Sequence, residues 1–185
     1  MNQADKAKAF EALHRKGTPV VLYNIWDAGT AKAVAEGGAK ALATGSWSVA
    51  AAQGYADGQK LPMDVLIATA RSIAASSDLP LSVDFEGAYS EEPDGVAANV
   101  AKVIDTGAIG INFEDQVVTG SGLYPIDRQA ARIRAIRAMR EGRRGRSDGG
   151  LRNSRHPDRE PGRGGDQDRA ADGAHRVRRS YRLRR

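Results

Sequence analysis

An α/β fold built on a parallel sheet is predicted for the first three quarters of this 185-residue chain. Three observations predict it. Four short apolar runs are bounded by Gly or Pro, as buried parallel strands are. The segments between them have helical spacing. Polar residues gather where each apolar run ends, which is where parallel α/β folds place their reactive groups.

The first strand is predicted over Pro19–Asn24, followed by an Ala-rich helix over Ala28–Glu36 that stops at Gly37-Gly38. The second strand is Ala41–Thr44. Met63–Ala75 is a helix, with Met63, Leu66, Ile67, Ala70 and Ile73 recurring at three and four and Asp64 suited to the positive end of its dipole. Leu81–Phe85 is the third strand. A helix over Asp94–Thr106 then places Val96, Val100, Val103 and Ile104 on one face. Ile109–Phe113 is the fourth strand. The last helix, Asp127–Met139, has Asp127 as its expected N-cap and Ile133, Ile136 and Met139 on its apolar face. Strand and helix alternate four times, which implies right-handed crossovers. The pattern alone does not separate a barrel from a doubly wound sheet.

Charge divides the chain at the same point as the periodicity. Residues 1–139 hold 13 Lys+Arg against 16 Asp+Glu, a net −3, whereas residues 140–185 hold 15 Arg against 7 Asp+Glu, a net +8. The basic character therefore belongs to the last quarter alone. With no cysteine, disulfides, thiolate nucleophiles and Cys-based zinc sites are excluded. No window approaches the roughly 18 apolar residues of a membrane span, and the first ten residues lack an apolar leader segment. A cytoplasmic protein is the expectation.

Polar residues mark all four strand ends. Asn24, Trp26 and Asp27 follow the first strand, and Thr44-Gly45-Ser46-Trp47-Ser48 follows the second. Asp84 and Glu86 end the third and, in extended chain, would share a side while Phe85 faces away. Glu114-Asp115-Gln116 ends the fourth. Carboxylates held together repel unless a cation joins them. An all-oxygen set without His or Cys suits a hard cation such as partly hydrated Mg²⁺, which can chelate a 2-oxo acid and hold its enolate. The same acids could instead cap helices or lie solvated on loops, and position alone leaves both readings open.

The motifs run Tyr23-Asn24-Ile25-Trp26-Asp27-Ala28-Gly29, Ala43-Thr44-Gly45-Ser46-Trp47, Gly54-Tyr55-Ala56-Asp57-Gly58, Leu81 through Tyr89, and Gly110 through Gln116. In order and spacing they resemble the isocitrate lyase/phosphoenolpyruvate mutase superfamily, in its phosphonomutase-like branch, over about residues 5–139. The resemblance implies a (β/α)₈ TIM barrel, of which this would be the first four units. It implies Mg²⁺-dependent lyase or mutase chemistry on a small 2-oxo acid or phosphonate, through a metal-bound enolate. Asp84 matches the residue that holds the metal, and Glu86 and Glu114 match acids that bind its waters. Asp57 matches a catalytic acid on a mobile loop, hinged here at Gly54 and Gly58. Thr44, Gly45 and Ser46 match the segment that grips the substrate carboxylate. Tyr23 and Trp47 join them as expected substrate-binding residues.

The chain departs from the family pattern in three places. Val117–Tyr124 replaces the cysteine-bearing motif of the isocitrate and methylisocitrate lyases, which argues against those activities. Ala56 stands where proline is common. The fifth strand, with its substrate-binding arginine, is expected shortly after Met139 and is not found. Four units alone would leave both sheet edges open and the barrel's interior side chains exposed, so marginal stability, aggregation or pairing of two half-barrels into a homo-oligomer is expected.

Residues 140–185 contain few large apolar side chains and are expected to be disordered. Their composition reads first as GC-rich coding DNA translated out of frame from about codon 140. A nucleic-acid-binding arm using Arg143-Arg144-Gly145-Arg146 and Arg176-Val177-Arg178-Arg179 is the second reading, opposed by the interspersed acids and by Tyr181 being the only aromatic. An ordinary tail is the third. For the whole chain, the alternative to an enzyme is a non-catalytic truncated remnant, or an RNA-associated protein acting through this tail.

Overall fold

The structure, a computed structural model, describes residues 1–147 and 180–181. Helix α1 (Gln3–Leu13) precedes β1 (Asn24–Ile25), α2 (Ala28–Glu36), β2 (Leu42–Thr44), α3 (Ser46–Ala52), α4 (Met63–Ser76), β3 (Leu81–Asp84), α5 (Pro93–Ile104), β4 (Gly110–Asn112), α6 (Ile126–Ser147) and β5 (Ser180–Tyr181). Strands β1 to β4 are parallel and lie side by side in chain order, with Ile25 beside Thr44, Leu42 beside Leu81 and Asp84 beside Asn112. A doubly wound sheet reverses its strand order at a switch point. Among the described residues the parallel strands keep chain order throughout, which is consistent with part of a barrel.

The core lies between the sheet and its helices. Ile25, Leu42, Leu81, Val83, Phe85, Ile111 and Phe113 from the strand segments meet Leu66, Ala70 and Ile73 of α4, Val96, Val100 and Val103 of α5, and Ile136 of α6. The helical periodicity read from the sequence corresponds to these buried faces. Helix α1 is tied to the edge opposite the strand ends that carry acids. Gln3 donates to the carbonyls of Ile104 and Ala108, both at 2.8 Å, and Lys6 to that of Ser77 at 3.2 Å.

Four expectations need correction. The first strand is only Asn24–Ile25, and within Pro19–Tyr23 the side chains of Val21 and Tyr23 are exposed. The last helix continues eight residues past Met139, to Ser147, so the segment after 139 does not begin as a disordered tail. Arg and Glu are good helix formers even without apolar periodicity and offset Gly142 and Gly145, and Arg143 bridges to Asp105 at the end of α5. Asp127 lies inside the first turn of α6 rather than before it. Finally, β4 does not present a bare outer edge, because β5 pairs with it antiparallel, Tyr181 beside Ile111. Residues 148–179 and 182–185, with the Arg176–Arg179 cluster and most of the expected tail, lie outside the described residues.

Candidate active site

The carboxyl ends of β2, β3 and β4 bring three loops together. Asp84 closes β3 and is 2% exposed. Its backbone N–H donates to Thr44 Oγ1 at 2.8 Å, and its carboxylate Oδ2 accepts from the Ser46 N–H at 3.0 Å. Ser46 opens α3, so a buried negative charge meets the positive end of that helix. Between them, Gly45 leaves room that no other residue could. A Cβ there would lie 2.7 Å from the Asn24 side-chain nitrogen. Thr44, Gly45, Ser46 and Asp84 thus form one knot.

Glu86 stands at the start of a turn in which Glu86, Ala88 and Tyr89 all have left-handed backbone, with φ of 47°, 61° and 54°. For residues with a Cβ this costs about 1–2 kcal/mol each, so the surroundings must hold it. The strand alternation expected to pair Asp84 with Glu86 stops before Glu86, yet the two acids remain coupled. Glu86 is 7% exposed. Burial first, and then the charges of Asp57, Asp84 and Glu114, push its carboxyl up to about 7, against the pull of a hydrogen bond from Gln59. Four acids carried on three loops therefore act on one another.

The loop between α3 and α4 closes over Glu86. Its Gln59 N–H donates to both Glu86 carboxylate oxygens, at 3.0 and 3.2 Å. With its side-chain oxygen turned toward the turn, Gln59 also accepts from the N–H groups of Gly87 at 2.8 Å and Tyr89 at 3.3 Å. Asp57 sits exposed on this loop, between Gly54 and Gly58, whose φ values of 79° and 84° suit glycine alone. A cleft of about 140 Å³ runs beside the turn, lined by Gln59, Gly87, Tyr89, Ser90, Glu91, Val118, Thr119 and Tyr124. The Tyr89 hydroxyl is buried there without a hydrogen-bond partner among the described residues. Its pKa is raised by burial and by Glu86.

Glu114 follows β4 on the third loop. Its N–H donates to the Glu86 carbonyl at 2.8 Å, and its carbonyl accepts from Gln129 of α6 at 3.2 Å. Tyr23 and Trp47 are each 67% exposed, so neither is enclosed as a substrate-binding residue here. Asp27 does not join the cluster. It caps α2, accepting from the Thr30 N–H at 2.7 Å, and that bond holds its carboxyl below the usual value.

Three residues that sequence reasoning passed over take part. Gln59 latches the loop, while Gln129 and Arg132 of α6 reach the site from beneath. Gln129 and Arg132 fall on one stripe with Ile136, at spacings of three and four. Polar side chains on an apolar stripe were the available signal. Among the described residues no group of three or more Asp, Glu or His donors forms a ready cage for a metal ion. The donor set nonetheless fits Mg²⁺, which keeps much of its water and takes one or two carboxylates directly. It is all oxygen, it includes a buried carboxylate, and its mutual repulsion would be offset by a cation.

An in-order parallel sheet with acids on three adjacent loops defines an α/β scaffold consistent with part of a barrel. The chain matches the family described as phosphoenolpyruvate phosphomutase over residues 10–155, and it belongs to that family. Among curated proteins, an uncharacterized protein of Mycobacterium tuberculosis is 38% identical over 107 residues, covering 58% of this chain and 40% of that protein. A Burkholderia cenocepacia J2315 structure that carries a provisional phosphonomutase assignment superposes with TM-score 0.73 at 45% identity, over 75% of this chain and 56% of that one. Oxaloacetate acetylhydrolase, solved with its product oxalate, gives 0.67 at 26% identity over 75% of this chain and 50% of that one. The chain thus spans between two fifths and somewhat over half the length of these relatives. No helix among the described residues is long and apolar enough to cross a membrane.

Proposed function

We propose that the carboxyl ends of β1 to β4 form the metal- and substrate-binding part of a Mg²⁺-dependent lyase or mutase site. Its substrate would be a small 2-oxo acid or phosphonate. The observation that carries this reading is geometric: buried Asp84 and Glu86, with Asp57 and Glu114, stand on the three adjacent loops at the carboxyl ends of β2, β3 and β4. Acids gathered at one end of a sheet repel one another, a cost that a bound cation would offset. The oxalate in oxaloacetate acetylhydrolase, a planar dicarboxylate resembling the enolate of a 2-oxo acid, supports the substrate class.

Asp84 would hold the metal directly, and Glu86 and Glu114 would accept hydrogen bonds from its waters. When bound, Mg²⁺ supplies positive charge where negative charge develops on the substrate oxygen. Asp57, on its glycine-flanked loop, covers the site and excludes water when that loop is down. Thr44, Gly45 and Ser46 would orient the substrate carboxylate. In the present arrangement the Ser46 N–H is committed to Asp84. Substrate binding would therefore require that bond to be shared or exchanged. Tyr23 and Trp47 stand exposed and would pack on substrate only once it binds.

Thermal melting with Mg²⁺ and oxalate, added singly and together, tests the reading. The pair is expected to raise Tm more than either alone, approaching about 2.7 kcal/mol of stabilisation at a hundredfold excess over Kd. Asp84→Ala should abolish the effect. No shift under any combination would overturn the proposal and leave a non-catalytic remnant.

A further inference from the structure

Arg132 is a fully buried arginine, 0% exposed, on the inner face of α6. Among the described residues its ion pairing is not with any carboxylate, since the bridges there join other cations. It is instead packed against two rings, 4.1 Å from the centroid of Tyr124 and 4.7 Å from that of Phe113. Burial draws its pKa below the usual guanidinium value. A cation buried without an ion pair is costly unless hydrogen bonds offset its lost hydration, and of the Arg132 side-chain nitrogens only Nε lacks a partner among the described residues.

What it holds is the left-handed turn that begins at Glu86. Nη2 donates to the carbonyls of Gly87 at 2.7 Å and Ser90 at 2.9 Å. Nη1 donates to the Gln129 side-chain oxygen at 2.7 Å, and the same amide donates to the Glu114 carbonyl at 3.2 Å. Gln129 is itself buried. One turn of α6 therefore grips the two acid-bearing loops from below. Gln59 grips the upper side of the same turn at the N–H groups of Gly87 and Tyr89.

We propose that Gln129 and Arg132 form a bracket that positions Glu86 and Glu114 for the metal's outer shell. They are positioning residues, since neither is placed to touch substrate. The inference rests on the metal-site reading above. Partners of this kind fix their ligands' orientation, and losing one commonly weakens metal binding by ~10–100-fold.

The test uses the full chain and Mn²⁺ as a paramagnetic stand-in for Mg²⁺, with binding read from loss of the free-ion resonance signal. Arg132→Met is expected to weaken Mn²⁺ binding by at least ~10-fold, with far-UV circular dichroism unchanged. Arg132→Lys should recover part of the affinity. If the bracket acts through Glu86, Arg132→Met should cost much less in a Glu86→Gln background, a non-additivity that a merely structural role would not produce. Amide hydrogen exchange supplies a metal-free readout. The N–H groups of Gly87, Tyr89, Gln59 and Glu114 should lose protection in Arg132→Met and Gln129→Leu, while α2 and α4 keep theirs. Should Arg132→Met not fold, Arg132→Lys and Gln129→Leu carry the same comparison. Unchanged Mn²⁺ affinity or additive effects would overturn the bracket. If the parent chain binds no Mn²⁺, the metal reading fails. Unchanged exchange at those four amides would then overturn the bracket separately.

Discussion

A carboxyl group taken out of water lowers its free energy by keeping its proton or by finding a cation. Burial first, and then the neighbouring acids, raise the Glu86 carboxyl from 4.5 to about 7. The folded chain then binds that proton more tightly than the unfolded chain. The associated stability is complete below 4.5 and is lost as pH rises through about 7. In metal-free buffer, Tm should therefore fall across that window, and Glu86→Gln should flatten the fall. Mg²⁺ competes with the same proton, so its stabilising effect should grow as pH passes about 7. Melting curves at several pH values with and without Mg²⁺ check both signs. A metal effect independent of pH would place the ion away from Glu86. Asp84, Glu86 and Glu114 were legible in the sequence because each stands at or just past the end of a buried strand, whereas Asp57 came only from the family resemblance. Their holders were not. Arg132 looks in sequence like Arg128, Arg134 and Arg137, and only its seat against Tyr124 and Phe113 and its bonds to the distant Gly87 and Ser90 carbonyls separate it from them.

Helices α4 and α5 were legible nearly to their ends because their apolar spacing matches the faces they bury, and α2 because an Ala-rich run stops at Gly37-Gly38. The first strand was not. Pro19–Tyr23 has strand-like composition, but Val21 and Tyr23 are exposed and Val20 and Leu22 only half-buried, and burial rather than propensity decides strand formation. Asp27 shows the complementary error, an acid at the expected strand end that serves the helix instead. It accepts from Thr30 N–H while the Thr30 hydroxyl accepts from the Asp27 N–H at 3.2 Å, a reciprocal cap. Asp27→Ala should lower stability by about 1 kcal/mol. It should leave metal binding unchanged, which urea denaturation beside a Mn²⁺ titration would show. Weakened Mn²⁺ binding in that variant would return Asp27 to the site.

For the whole molecule, the two sides of the sheet differ. β4 is met by Ser180–Tyr181, whereas β1 is a two-residue strand at the end of the sheet order. Around it Val21, Tyr23, Trp26 and Trp47 are exposed. The sequence foretold open edges from the count of strand and helix units, and the structure retains that openness on the β1 side among the described residues. An unpaired parallel edge bordered by apolar side chains favours pairing with another copy of the chain. Self-association coupled to folding makes melting depend on concentration. Sedimentation velocity should accordingly show reversible association as concentration rises, with Tm climbing alongside it. Lysine at Val21 and Tyr23 together should shift the chain toward monomer, because charge on an edge blocks strand pairing. Both positions are exposed, so that variant should melt no lower than the parent at the lowest concentration. A chain that stays monomeric throughout, with a sharp reversible transition independent of concentration, would mean that the sheet is stable as an arc.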